Sequence, residues 1–426
     1  MCIRDSSIIV ARVLGPDGLG VWVVLSLVPS YAEAFGRLKA DHSAVYYLGK
    51  DIFRPADILR NLNFIATVSA ALILILILLN FDYLNSILFK TNNFSYSIYL
   101  MAILPIIPLQ FLQLNYSYFH LGEENIAAVN KMVMIQAWSG FILVVSLLLF
   151  TKLELWSVII GAIVSKALAL CVGWYLVNTQ SKFGGKISWK VCSNLISYGT
   201  GFYFNNILSE LQQSGTRLIA AYFLGPAFLA FLGQGQNIAI MLTKISDAIG
   251  TVLFPRISRS GKDYAIKTAC KAFRITAIVL IISATFLFLF SEYLIVLFYG
   301  DAFQPTAIVL QILIPGFVFL GLANTLSSYF YGSGKAGTIP MLQLLPISIQ
   351  LLLSWFFIST WGLFGAAIAI SCGFSIYSLL LILYFLIHHR LSIKTILPGP
   401  RDFETIWQFC STQISVVQRI IFRQKT

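Results

Sequence analysis

ARVLGPDGLG, residues 11–20, and AYFLGPAFLA, residues 221–230, share one Leu-Gly-Pro core, and Gly15 and Gly225 stand 210 residues apart. Proline has no backbone N–H to continue a helix, and it starts one well. A Gly-Pro pair between two apolar runs therefore predicts a corner where one helix stops and the next begins. The same corner twice, half a chain apart, predicts a duplicated helical architecture.

The flanking sequence shows where those helices reside. Of 426 residues, 58% are hydrophobic and 11% charged, and the mean hydropathy is +0.83. A soluble domain carries about 25% charged residues, so this much apolar surface does not fit inside one soluble core. The composition predicts an integral membrane protein. In a bilayer only helices and closed barrels satisfy the backbone. Runs such as ALILILIL from Ala71 are continuous rather than alternating, which selects helices.

Apolar runs long enough to cross, about 18–25 residues, centre on 18–37, 60–80, 97–118, 133–151, 155–177, 197–217, 227–253, 273–298, 306–330, 338–359 and 362–387. The opening MCIRDSSIIVARVL is too short to cross and reads as the tail of a further helix, truncated here, which makes twelve transmembrane helices. With the native N-terminus placed in the cytoplasm, inner loops and tail hold 22 of the 29 Lys and Arg, and outer loops hold 4. This split follows the positive-inside rule. The net charge of +12 is thus explained by topology and contact with anionic lipid, and a nucleic-acid partner is not expected. The six cysteines form no metal-type spacing and the four histidines no HExxH, so neither metal nor cofactor is expected. After Pro400, Phe403, Ile406, Trp407, Cys410, Ile414, Val417 and Ile421 recur at helical spacing ahead of Arg419, Arg423 and Lys425. This tail reads as a helix lying on the inner membrane surface.

The 210-residue offset recurs beyond the corner. Pro105 aligns with Pro315, and Gly122 with Gly332. Late in each half Trp156 precedes Gly161-Ala162, as Trp361 precedes Gly365-Ala366. Six spans per half keep both halves in one orientation. The expected fold is all-α and polytopic, with two parallel six-helix repeats around a central cavity, as in alternating-access transporters. The expected boundaries are 1–190, 191–390 and a cytoplasmic tail, 391–426. No outer loop is long enough to hold a catalytic domain, so an enzyme is not expected.

ARVLGPDGLGVW (11–22), FLGPAFLAFLGQGQNIAIMLTKISDAIGTVLFPRISR (223–259) and TWGLFGAAIAI (360–370) resemble the bacterial polysaccharide-biosynthesis transporters. These are the O-antigen and capsule flippases of the multidrug/oligosaccharidyl-lipid/polysaccharide exporter superfamily. The resemblance runs to about Leu391. It implies a multi-pass protein of the bacterial inner membrane that flips undecaprenyl-diphosphate-linked oligosaccharide by alternating access. Membrane lipids and the polysaccharide polymerase machinery are the further partners it implies. The alternative is a multidrug or cation antiporter on the same fold.

Ionisable groups inside a span are costly and tend to face a cavity. Glu33 and Arg37 are four apart and continue a polar stripe from Ser26 and Ser30. Asn206, Glu210, Gln213 and Arg217 share one helix face. Lys244 and Asp247 are three apart, and Lys166 stands alone in its span. Under the flippase reading Arg37, Lys166, Arg217 and Lys244 are the expected diphosphate ligands. Glu33, Glu210 and Asp247 pair those charges or couple an ion. Gln213, Gln234 and Asn237, with Gln236 beside them, are the expected sugar contacts.

Overall fold

A computed structural model describes residues 2–89, 94–178, 184–258, 261–335, 337–400 and 402. Every apolar run expected to cross lies on one helix or on an abutting pair. The first half contains α1 (Cys2–Gly36), α2 (Ala40–Gly49), α3 (Pro55–Leu79), α4 (Phe81–Phe89), α5 (Phe94–Ile103), α6 (Ile106–Gly122), α7 (Ile126–Phe150) and α8 (Leu155–Asn178). The second contains α9 (Trp189–Phe223), α10 (Pro226–Ala239), α11 (Met241–Ser258), α12 (Lys262–Leu289), α13 (Ser291–Tyr299), α14 (Pro305–Gly332) and α15 (Thr338–His389). Among the described residues nine segments are long and apolar enough to cross a membrane. One of them, α15, bends at Gly362 (φ 56, ψ −127), so its two arms are the last two expected spans. Large apolar side chains lie open on these helices, as at Leu72, Leu76 and Leu79 of α3. Such surface marks contact with lipid or a partner.

The two opening corners coincide in place and differ in backbone. Gly15 bends α1 at φ 67, ψ −177, a conformation open essentially to glycine alone. At the second corner α9 ends at Phe223 and Pro226 begins α10. There Gly225 keeps a negative φ.

The 210-residue offset also governs helix ends that the sequence motifs leave open. α3 stops at Leu79 and α4 runs 81–89; α12 stops at Leu289 and α13 runs 291–299. At these breaks the N–H of Asn80 donates to the Leu76 carbonyl at 3.2 Å, and that of Phe290 to Phe286 at 3.1 Å. α6 and α14 end at Gly122 and Gly332. Both are closed by the same hydrogen-bond pair, Asn125 to His120 with Glu123 to Phe119, and Lys335 to Phe330 with Ser333 to Tyr329. A left-handed residue follows each end, Glu124 and Gly334, as this type of cap requires. Trp156 sits in the first turn of α8, and Trp361 beside the Gly362 bend.

The chain forms two compact units. The first comprises Met1–Gly233, Ile295–Pro305 and Ser354–Ala366. Its core holds Leu25, Ile103, Ile107 and Phe111, and nearer the start of α3 Ile58, Leu62, Phe119 and Leu195. In it α1 meets the start of α10 so closely that a Cβ on Gly20 would lie 1.8 Å from the Pro226 carbonyl oxygen. Arg12 donates from Nε to the Phe298 carbonyl at 2.9 Å and from Nη2 to that of Leu297. These are orphan acceptors at the end of α13, where a cation is favourable. The second unit comprises Gln234–Leu294, Thr306–Leu353 and the chain from Ala367, around Phe273, Leu326, Phe330 and Phe385. Asp402 accepts from Arg274 Nε at 2.8 Å and from the Gly399 N–H at 2.9 Å. These bonds hold its carboxyl below the ordinary range against the upward push of partial burial. The expected surface helix, Phe403 onward, lies outside the described residues.

Candidate functional site

The first unit holds a continuous polar cluster built on α1. Ser26 and Ser30 spend their hydroxyls on the helix itself, donating to the Val23 and Ser26 carbonyls at 2.7 and 3.0 Å. Glu33 and Arg37 then emerge one turn apart. Arg37 Nη1 lies 3.4 Å from Glu33 Oε1, and Gln110 of α6 donates to the other Glu33 oxygen. After Gly36 two left-handed residues, Leu38 (φ 52) and Lys39 (φ 50), turn the chain into α2. The turn sets Asp41 Oδ2 2.9 Å from Arg37 Nη2, with both side chains buried. His42 Nδ1 stands 3.2 Å from the same carboxylate oxygen, and Tyr118 lies under the Arg37 guanidinium. Burial pushes the Asp41 carboxyl up, but Arg37, His42 and Lys39 outweigh it and bring it down to about 2. Burial lowers the neighbouring Lys39 ammonium, with Asp41 opposing. Arg37 is thus committed to two carboxylates.

The other charges of the unit are differently placed. Lys166 of α8 faces into this cluster within electrostatic reach of Glu33 and has no hydrogen-bonded partner among the described residues. On α9 Asn206 donates to the Ala34 carbonyl at 3.5 Å, which lays the polar face of that helix along α1. One and three turns on, Glu210 and Arg217 lie within electrostatic reach of Tyr31 of α1. Arg217 donates from Nη2 to Ser214 at 3.0 Å. Its Nε and the Tyr31 hydroxyl are buried without a hydrogen-bond partner among the described residues. Buried polar atoms are rarely left unpaired, and each unpaired one costs about 1–3 kcal/mol. A donor and a hydroxyl left unpartnered within electrostatic reach of each other can accept a hydrogen-bond partner from elsewhere. Gln213 lies exposed on the same helix.

The second unit contains the rest. On α11 Lys244 Nζ and Asp247 Oδ2 are 2.9 Å apart and well exposed. Asp247 Oδ1 accepts from Asn324 of α14 at 3.2 Å. Gln234 is buried with Oε1 unpartnered among the described residues, Gln236 is buried, and Asn237 is exposed. The structure therefore pairs Glu33 with Arg37 and Lys244 with Asp247, and leaves Glu210 and Arg217 within electrostatic reach of each other. Sequence reasoning missed Tyr31, Asp41, Gln110 and Tyr118. Gln110 was detectable as an amide inside an apolar run. Asp41 was hidden because it follows the apolar run and reads as a loop residue. Among the described residues no group of His, Cys, Asp and Glu is arranged to hold a metal.

Comparison with known proteins now bears on this arrangement. The profile of the polysaccharide biosynthesis protein family matches residues 9–308. The chain belongs to that family. Within the polysaccharide biosynthesis proteins its second half also matches the profile of the lipid II flippase MurJ, over residues 218–418. A Shigella flexneri protein named as a proposed O-antigen transporter is 26% identical over 395 residues, covering 87% of this chain and 90% of its own. Among solved structures, the lipid II flippase MurJ in an inward closed conformation superposes with a TM-score of 0.74 at 15% identity, covering 93% of this chain and 86% of its own. An inward-facing multidrug resistance MATE transporter of the MOP superfamily gives 0.72 at 14%, covering 91% and 94%. The family is the one that the Leu-Gly-Pro corner and the Phe-Pro-Arg-x-Ser run resemble, and its fold is a polytopic helical one shared with transporters.

Proposed function

We propose that this polysaccharide biosynthesis protein is a flippase of the bacterial inner membrane that carries lipid-linked oligosaccharide from the cytoplasmic to the outer leaflet. The substrate class is an undecaprenyl-diphosphate-linked repeat unit of O-antigen, capsule or exopolysaccharide. The reading is supported by the family, by the proposed O-antigen transporter and flippase relatives, and by the membrane helices. It assigns transport rather than catalysis. The duplicated helix ends support a repeat of two six-helix halves, 1–190 and 191–390.

One observation carries the site: the unpartnered Nε of Arg217 within electrostatic reach of the unpartnered Tyr31 hydroxyl. A diphosphate oxygen supplies the missing acceptor, and a guanidinium binds such oxygens in two-pronged fashion. Lys166, without a fixed partner, adds a movable point charge. Arg37, held by Glu33 and Asp41, contributes least. Glu210 balances Arg217 when no substrate is present. Outward movement of a diphosphate is favoured by an inside-negative potential, at about 2.3 kcal/mol per charge per 100 mV.

The test is a flipping assay. Proteoliposomes hold fluorescent undecaprenyl-diphosphate oligosaccharide and are probed with a membrane-impermeant quencher. Protein-dependent flipping that falls at least tenfold in Arg217→Ala and Tyr31→Phe/Arg217→Lys is the expected result. Flipping untouched by these changes keeps the function and removes the site. Absence of flipping, with efflux of organic cations instead, replaces the reading by the antiporter.

A further inference from the structure

The polar face of α9 continues past Asn206 toward the start of the helix, and there it turns aromatic. Tyr198, Phe202, Asn206, Glu210, Gln213 and Arg217 follow one another at steps of four or three and so share a stripe. The segment around Tyr198 is drawn onto the α1–α2 turn. A Cβ on Gly199 would lie 2.6 Å from the Leu38 carbonyl oxygen, and the Tyr203 hydroxyl donates to the Phe35 carbonyl at 2.8 Å. This approach sets four rings of α2 and α9 in one surface. Tyr46 stacks on Tyr198, centroids 4.5 Å apart and planes at 16°. Tyr198 meets Phe202 at 5.9 Å, and Phe202 meets His42 at 5.6 Å. His42 then rests on Tyr118, at 4.5 Å, beneath Arg37.

Tyr46, Tyr198 and Phe202 are each about two-fifths exposed. The Tyr46 and Tyr198 hydroxyls have no hydrogen-bond partner among the described residues. The lipid-type surface of α3 is different, with leucine and isoleucine side chains that carry no polar edge. The aromatic surface offers ring faces of negative potential, rimmed by the Tyr46 and Tyr198 hydroxyls.

We propose that Tyr46, Tyr198 and Phe202, backed by His42, form a platform for the sugar rings of the transported lipid, which rests on the flippase reading above. A pyranose presents a face of C–H groups of slight positive charge and a rim of hydroxyls. Such a ring lies flat on an aromatic face, and its hydroxyls reach the phenol oxygens. Stacking of this kind tolerates different sugars and adds with each ring engaged, so it grips an oligosaccharide more than a monosaccharide. An acyl chain has no use for the phenol rim.

The experiment compares two probes in proteoliposomes, undecaprenyl diphosphate bearing a tetrasaccharide and undecaprenyl diphosphate bearing one N-acetylglucosamine. Tyr198→Leu/Phe202→Leu keeps the bulk and removes the rings, and Tyr46→Leu tests the surface independently from α2. Expected is a fall of about tenfold in the initial rate for the tetrasaccharide lipid, with the single-sugar lipid within about twofold of wild type. Equal slowing of both lipids by the leucine variants identifies a packing role and overturns the platform, as does no slowing. If wild type flips neither lipid, the flippase reading falls and takes this inference with it. If wild type flips both and the leucine variants do not discriminate, the platform alone falls. Monodisperse elution of every variant from a sizing column precedes the comparison.

Discussion

Arg37 and Asp41 meet across a helix break, Nη2 to Oδ2 at 2.9 Å, with 3% and 1% of their side chains exposed. Two left-handed residues between α1 and α2 make the contact, so one pair both neutralises the charge cluster and fixes the turn. Removing one member of a buried ion pair costs about 3–5 kcal/mol, because its partner is left charged without compensation. Arg37→Met is therefore expected to lower the thermal midpoint of detergent-purified protein sharply. Arg37→Met combined with Asp41→Leu is expected to recover much of the loss. A double variant no more stable than the single one counts against this account of the pair.

Acid should act through the same carboxylate. Asp41 is held at about 2, against 3.8 for an unperturbed aspartate. A carboxyl lowered on folding adds stability that is complete above the unfolded value and vanishes as pH falls through the folded one. The window is thus about pH 4 down to pH 2, with about 2–3 kcal/mol at stake. Unfolding measured across that range is expected to show a component that Asp41→Asn abolishes. Identical acid profiles for wild type and variant would exclude it.

Asn61 ties the start of α3 to the chain that leads into α9. Its Nδ2 donates to the Asp57 and Lys186 carbonyls at 2.7 and 2.9 Å. Its Oδ1 accepts from the Ser188 N–H at 2.9 Å and from Cys192 Sγ at 3.0 Å. Asn61→Ala strands buried backbone groups at about 1–3 kcal/mol each. A loss of about 2–4 kcal/mol is expected in denaturant titration, along with faster proteolysis between residues 184 and 188. A stable, protease-resistant Asn61→Ala protein would show that the tie is dispensable.

Two glycines should respond in opposite senses. Gly20→Ala would drive a methyl to 1.8 Å from the Pro226 carbonyl oxygen, forcing α1 and α10 apart at a cost of about 1–3 kcal/mol. Gly201 lies inside α9 with nothing near its would-be Cβ. There alanine is expected to raise stability by about 0.4–1 kcal/mol. Thermal midpoints of the two variants check both signs, and a shared sign would contradict the packing described.

Much of this molecule is legible without coordinates. Continuous apolar runs located most of the spans, because a bilayer admits little else. The run 197–217 lies on α9, which is not among the nine segments apolar enough to cross among the described residues. The Leu-Gly-Pro corners marked their places, since a proline at the start of a helix acts within a few residues. The offset of 210 passed from the motifs to the helix ends at Leu79 and Leu289, and at Gly122 and Gly332. The charge stripes of α1 and α9 were also visible, because residues four apart on one helix share a face whatever surrounds them.

What the residue order left open was every choice between partners. Glu33 and Arg37 read as a pair within one helix, yet Asp41, from beyond the turn, is the closer partner of Arg37. Tyr31 gained its meaning only when α1 lay beside Arg217, and Tyr46 only when Gly199 let α9 approach the α1–α2 turn. Local sequence determined the helices, their ends and the charged faces, because each depends on neighbours a few positions away. The tertiary structure alone decided which faces meet and which donors stay unpaired, because those depend on approach between segments far apart in the chain, while the α1–α2 turn decided how the Arg37 charge is cancelled.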